Sequence, residues 1–321
     1  MEGRVPSLFM LVPGPWHDCQ TLIQALQAAN IDATESDDTA IQASQLRVEI
    51  VEDSQLAAGF SWGRKGPLPR ELLARVDRCR SAALIECGGR LDENHAAIAK
   101  LGRALREAGG VAVRMEASGA ASAWEPWLEQ LESGRPFGLY ACATLIAEGQ
   151  RGARFTCGMH QFDLPDAQIE LSDPSEAAHW LDAFCVYQLE ERPGLASGHR
   201  FRPSSQVALR SFERWPDNHH DDGDGRYNPF GIWRFLPPGA TTLNPTALST
   251  TLIPSLVSTL MAAEERQGRS LTRLEVAQIV SNAPAVAMTR ADALALERSR
   301  GYADIEPELA WEQWQIIRRR A

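Results

Sequence analysis

Hydrophobic and polar positions fall into short blocks along this chain, and the blocks change character near Leu139. Upstream, apolar runs alternate with helical repeats. Ser7–Val12 is an apolar run suited to a buried strand, and Leu22, Ile23, Leu26 and Ala29 then recur at helical spacing. Leu46–Val51 alternates, with Val48 and Ile50 against Arg47 and Glu49, as a half-buried strand does. Gly59–Pro69 reads as a loop from which Pro69 opens a helix to Arg80, and Ala82–Cys87 is a further strand. Asp92 is placed to cap a helix that runs to Ala108 and stops at Gly109-Gly110. Val111–Met115 is a strand, and Ala123–Leu131 a short helix carrying Trp124 and Trp127.

Downstream the strands follow one another. Leu139–Ala147, Arg154–Met159 and Gln168–Leu171 are close enough to be joined by tight turns, which predicts antiparallel pairing. Asp173-Pro174 starts a helix through Leu189, with Ala177, Leu181, Phe184, Cys185 and Leu189 on one face. Arg192–Ser205 is rich in Pro, Gly and Ser, and sets a boundary between domains 1–200 and 201–321. Beyond it, strands at Gln206–Arg214 and Ile232–Leu236 flank a polar loop, Pro216–Asn228. The remainder reads as helices at Ile253–Gln267, Thr272–Asn282, Arg290–Arg298 and Pro307–Arg319, with a short strand at Ala285–Met288. Thr272 and Glu275 form a capping box, Gly301 ends a helix and Pro307 begins one. The expected class is α+β: a mixed sheet with packed helices, then a smaller, mostly helical C-terminal region.

Composition narrows the function. The 321 residues are 44% hydrophobic and 23% charged, values of a chain that buries a core. A net charge of −10 repels phosphate backbones, so nucleic-acid binding is not expected. The one basic cluster, Arg318-Arg319-Arg320, complements the negative end of the last helix. Six cysteines (Cys19, Cys79, Cys87, Cys142, Cys157 and Cys185) without a Cys-x-x-Cys pair point to reduced thiols and a cytoplasmic location. No run is long enough for a signal peptide or a membrane span, so no membrane partner is expected.

Candidate chemistry concentrates in Asp217-Asn-His-His-Asp-Asp-Gly-Asp-Gly225. Carboxylates and imidazoles at this spacing can ligate a cation, which raises a metal-dependent hydrolase using His219, His220, Asp222 and Asp224. As a calcium loop it fails, because the frame that puts Gly225 at the invariant glycine puts Gly231 where the bidentate glutamate belongs. Adjacent histidines on extended backbone also point apart. A solvated loop between strands is the alternative. Asp217, Asp221, Asp222 and Asp224, flanked by Trp215 and Tyr227, then form a partner-binding surface. Cys157 and His160 invite a thiol–imidazole nucleophile, as do His17-Asp18-Cys19, but neither shows an oxyanion stabiliser. Gly88-Gly89 lacks the full phosphate-binding glycine pattern, and Glu86 would repel a phosphate. No catalytic residue and no cofactor are expected.

The segment Gly158-Met-His-Gln-Phe-x-Leu164-Pro-Asp166, with Ile169-Glu170, resembles the marker of an uncharacterised bacterial domain-of-unknown-function family, over about Ser81–Pro203. Within Phe155–Leu171 that resemblance implies strand, turn and strand. Leu271-Thr-x-x-Glu275-Val276 and Glu297-Arg-Ser-Arg-Gly-Tyr302 through Trp311 and Trp314 are similar to C-terminal modules of bacterial polymorphic-toxin and secretion neighbourhoods. The resemblance implies an immunity-type protein that neutralises a cognate type VI secretion effector without catalysis. Its partner would be a protein toxin, such as a basic nuclease, and the reading admits a homodimer.

Overall fold

A computed structural model describes residues 7–37, 40–43, 46–52, 56–63, 66–149, 152–240 and 248–318. Met1–Pro6, Lys65, Arg319, Arg320 and the side chain of Trp62 lie outside the described residues. The protein is α+β. Its contacts divide the chain into two compact units that interleave in sequence: 1–147, 156–166 and 216–231 in the first, 148–155, 167–215 and 232–321 in the second. This is not the linear division at residue 200 that the composition shift suggests. The long loop after residue 215 returns to the first unit instead of staying with its flanking strands.

The first unit is built on a nine-stranded sheet. Its strands are β1 (Ser7–Gly14), β2 (Ala33–Asp37), β3 (Ala40–Ala43), β4 (Leu46–Glu52), β5 (Trp62–Gly63), β6 (Gly66–Pro67), β7 (Ser81–Gly88), β8 (Val113–Met115) and β9 (Ala120–Ser122), in the order β2-β3-β4-β7-β1-β8-β9-β5-β6. The alternation of strand and helix does not yield a parallel sheet. β1 pairs antiparallel with both β7 and β8, β4 pairs antiparallel with β7, and β5 with β9 is a parallel contact. Helices α1 (Cys19–Ala28), α2 (Leu56–Gly59), α3 (Arg70–Val76), α4 (Leu91–Glu107), α5 (Trp124–Ser133) and α6 (Pro136–Ala143) complete it. Asp18 caps α1, accepting from the Thr21 N–H. Arg90, not Asp92, is the cap position of α4; Asp92 lies in the first turn and pairs with Arg90. Gly102 lets α5 approach, since a Cβ there would meet the Trp127 ring at 2.9 Å.

The run read as a strand at Leu139–Ala147 is mostly helix. Pro136 pre-sets the first turn of α6, and every residue from Gly138 to Ala143 is buried. A helix buried on all sides carries no amphipathic period, so its apolar run looks like a strand.

The second unit carries an eight-stranded sheet of β10 (Leu145–Glu148), β11 (Ala153–Cys157), β12 (Asp166–Glu170), β13 (Arg200–Arg202), β14 (Arg210–Trp215), β15 (Ile232–Phe235), β16 (Leu248–Leu252) and β17 (Ala285–Thr289), ordered β10-β11-β12-β15-β14-β13-β17-β16. β11 and β12 pair antiparallel, as their spacing predicts. Residues 145–147 of β10, with Thr156, Cys157 and Asp166 at the strand ends, belong to the first unit. Helix α7 (Pro174–Glu191) is capped by Asp173 and packs Trp180 and Phe184 against Phe201, Phe212 and Phe235. Such ring edges contribute beyond their buried area. Helices α8 (Leu256–Gln267), α9 (Arg273–Asn282), α10 (Arg290–Arg300) and α11 (Ala310–Ile317) make the helical C-terminal region; α8, α9 and α11 pack around Trp314, and α10 lies against β16 and β17. The Thr272–Glu275 capping box is present, and Gly301 ends α10 at φ +77°.

Candidate functional site

The segment from Thr156 to Asp166 and the loop from Pro216 to Gly231 come together in the first unit. The segment turns because Gly158 takes φ +114°, a conformation that a side chain opposes. A Cβ at Gly158 would meet the Ala143 carbonyl at 2.8 Å and the Ser118 Cβ at 2.9 Å. Met159–Phe162 then makes one 3₁₀ turn, and Gln161 Nε2 donates to the Ala143 and Gly158 carbonyls. β11 thus ends at Cys157, two residues short of the expected strand.

Asp166 is the buried centre of this corner. Its carboxyl accepts from Thr156 Oγ1 at 2.9 Å, from the Met159 N–H at 3.3 Å and from Asn228 Nδ2 at 2.6 Å. Burial pushes its pKa up to about 7, against the pull of those three donors. Asn228 is buried too, and its amide orientation is fixed: Nδ2 also donates to the Leu164 carbonyl, while Oδ1 accepts from the Phe230 N–H.

Asp217 closes the loop at its neck. Its Oδ2 accepts from the Asn228 N–H at 2.9 Å and faces His220 Nδ1 at 3.3 Å; its Oδ1 accepts from the His219 N–H at 2.8 Å. The Asp217 side chain is only 5% exposed. It therefore fastens the loop and is not the outward contact expected from sequence. Asp224 is also engaged. Arg226 donates to it through Nε at 3.0 Å and Nη2 at 2.6 Å, and holds its pKa at about 2. Asp221 and Asp222 remain exposed at the tip, and Tyr227 is half-buried. Trp215 belongs to the second unit, where the residue is 42% exposed and its ring bonds Glu213 and carries Arg234 on its face.

The loop does not assemble the expected metal ligands. The rings of His219 and His220 lie 6.5 Å apart at 63°, and Asp224 is occupied by Arg226. Among the described residues no group of three or more His, Cys, Asp or Glu side chains is placed to hold a metal ion. His219 and His220 sit in a bend and not on the extended backbone expected from sequence, and their rings stand edge to face.

Cys157 and His160 do not form a nucleophile. The Cys157 thiol points to the Ala117 carbonyl at 3.5 Å, with the Arg226 carbonyl at 3.9 Å. Burial first, and then the Asp166 charge, raise its pKa well above the usual thiol value, so it stays protonated. His160 is buried beneath the loop and bonds the Gly225 backbone, while its Nδ1 has no hydrogen-bond partner among the described residues. Burial lowers its pKa to about 4, so the ring is neutral at pH 7.

Of the residues that hold the site, Asp166 closes the Gly158–Asp166 marker without that segment announcing its role, and Asn228 carries no motif. The available signal was Asp166 at the start of a strand whose neighbours are buried on both faces, where a carboxyl needs a dedicated partner. No described helix is long and apolar enough to cross a membrane. Comparison with models of protein families, with curated proteins and with solved structures finds no match in any of the three.

Proposed function

We propose that this chain is an immunity-type binding protein. It occupies and neutralises a cognate secreted bacterial toxin, of the type VI secretion effector kind, without catalysis. One observation carries the reading: the loop from Asp217 to Asn228 is fastened from within and holds Asp221 and Asp222 outward. A loop ordered before binding loses less conformational freedom on docking, so exposed carboxylates on it can contribute affinity. Those carboxylates, on a chain of net charge −10, favour a basic partner such as a nuclease and speed its approach. The protein would act in the cytoplasm, as a monomer or homodimer.

The metal-dependent hydrolase reading gains nothing from the loop, whose Asp217 and Asp224 side chains are spent on internal bonds. The test is co-expression with any toxic protein encoded by a neighbouring gene, followed by affinity measurement with Asp221→Ala/Asp222→Ala. Lost neutralisation with unchanged stability supports the reading. Full neutralisation by the variant removes the loop as the contact. A purified protein with stoichiometric metal and hydrolytic activity would replace the proposal with the alternative.

A further inference from the structure

Two buried ionisable groups lie under the loop. His160 bonds the Gly225 backbone but leaves Nδ1 without a partner, so a proton there would be a buried, unpaired charge. Asp166 is met by three donors and, among the described residues, by no cation, so its ionisation puts an uncompensated charge in the interior. Asp217 lies close enough to act on both, and its carboxylate opposes ionisation of Asp166 while favouring protonation of His160. His220 also faces His160 from the loop. From β11 the neutral Cys157 thiol faces Asp166, with Arg226 and Asp224 beyond it and Glu116 near Arg226.

We infer that His160 and Asp166 form a proton-compensated clamp, in which an imidazole and a carboxyl act on loop closure in opposite senses. The signs follow from linkage. His160 is held below its ordinary value, toward about 4, so its contribution to closure is full above about 6.5 and is lost as pH falls. Asp166 is held above its ordinary value, toward about 7, so its contribution is full below about 4 and is lost as pH rises. Between these limits one proton's dependence cancels the other's. His219 is half-buried and acts in the same sense as His160, which leaves a small residual slope. The loop thus stays closed over a range in which either group alone would make it a pH switch. This holds whatever partner the loop meets.

Native-state hydrogen exchange of the His219, Asn228 and Met159 amides, corrected for intrinsic rates, reads the opening equilibrium between pH 4.5 and 6.5. In the full chain opening should change less than about tenfold over that range. In His160→Leu it should grow about tenfold per unit as pH rises; in Asp166→Asn it should grow about tenfold per unit as pH falls. Slopes of the same sign in the two variants, or a full one-proton slope in the unmodified chain, overturn the clamp. NMR of the unmodified protein tests it without any variant. His160 should stay neutral to below pH 5 and the Asp166 carboxyl should titrate near neutrality. An imidazole titrating near 6.5, or a carboxyl still ionised at pH 4.5, refutes it.

Discussion

The carboxamide of Asn228 donates to the buried carboxyl of Asp166 across 2.6 Å, while the backbone N–H of the same residue donates to Asp217 across 2.9 Å. One residue therefore fastens the loop to the strand corner and closes the loop on itself. The acidic tip takes its position from this neutral side chain.

Replacing Asn228 should release the loop. Asn228→Ala leaves Asp166 without its shortest donor and should cost about 3 kcal/mol. Urea denaturation measures that loss, and limited proteolysis should show new cleavage between Pro216 and Gly231. Asn228→Asp adds a charge beside Asp166 and should cost more. Unchanged stability in both variants would show that the bond contributes nothing.

Most of the secondary structure was legible in the sequence because its signals are local. Asp173-Pro174, Thr272 with Glu275, and Gly301 mark helix ends through bonds within a few residues. Helix α6 looks like a strand because Gly138 to Ala143 are all buried, which erases the period. The acidic loop was visible in composition, but the fates of its carboxylates were not. Asp217 turns inward because Asn228, eleven positions later, reaches it, and Asp224 is taken by Arg226. Asp166 and Asn228 meet across sixty-two positions, a pairing that no local pattern records.

Gly158 should tolerate no side chain. Its φ of +114° opposes any L residue, and a Cβ would press on the Ala143 carbonyl at 2.8 Å. Gly158→Ala should destabilise by roughly 3 kcal/mol or more. Gly223, in open space and without that conformation, is the control: Gly223→Ala should change stability by less than about 0.5 kcal/mol.

The thiol of Cys157 should be chemically silent. Its burial and raised pKa predict no reaction with a thiol reagent until the protein unfolds. Half-buried Cys79 should label first, since the other five thiols are buried. Cys157→Ala should cost about 1–2 kcal/mol through the cavity it leaves. It should leave neutralisation intact. Fast native-state labelling of Cys157 would revive the nucleophile reading.

In the second unit, Arg300 joins helices α7 and α10: its Nε donates to Glu191 at 2.8 Å, and Nη1 lies 3.7 Å from Asp304. The side chains of Arg300 and Glu191 are 4% and 10% exposed, so neither charge has water to fall back on. Arg300→Met strands Glu191 and should cost about 3–5 kcal/mol. Glu191→Gln removes the stranded charge, so the double variant should recover much of that loss. The coupling extends further, because Asp304 also accepts from the Leu256 and Val257 N–H groups that open α8. Losing Arg300 therefore loosens the start of α8 as well as the end of α7. A double-mutant cycle measured by denaturation decides the point. If the two single losses simply add, the ion pair is not what couples these helices.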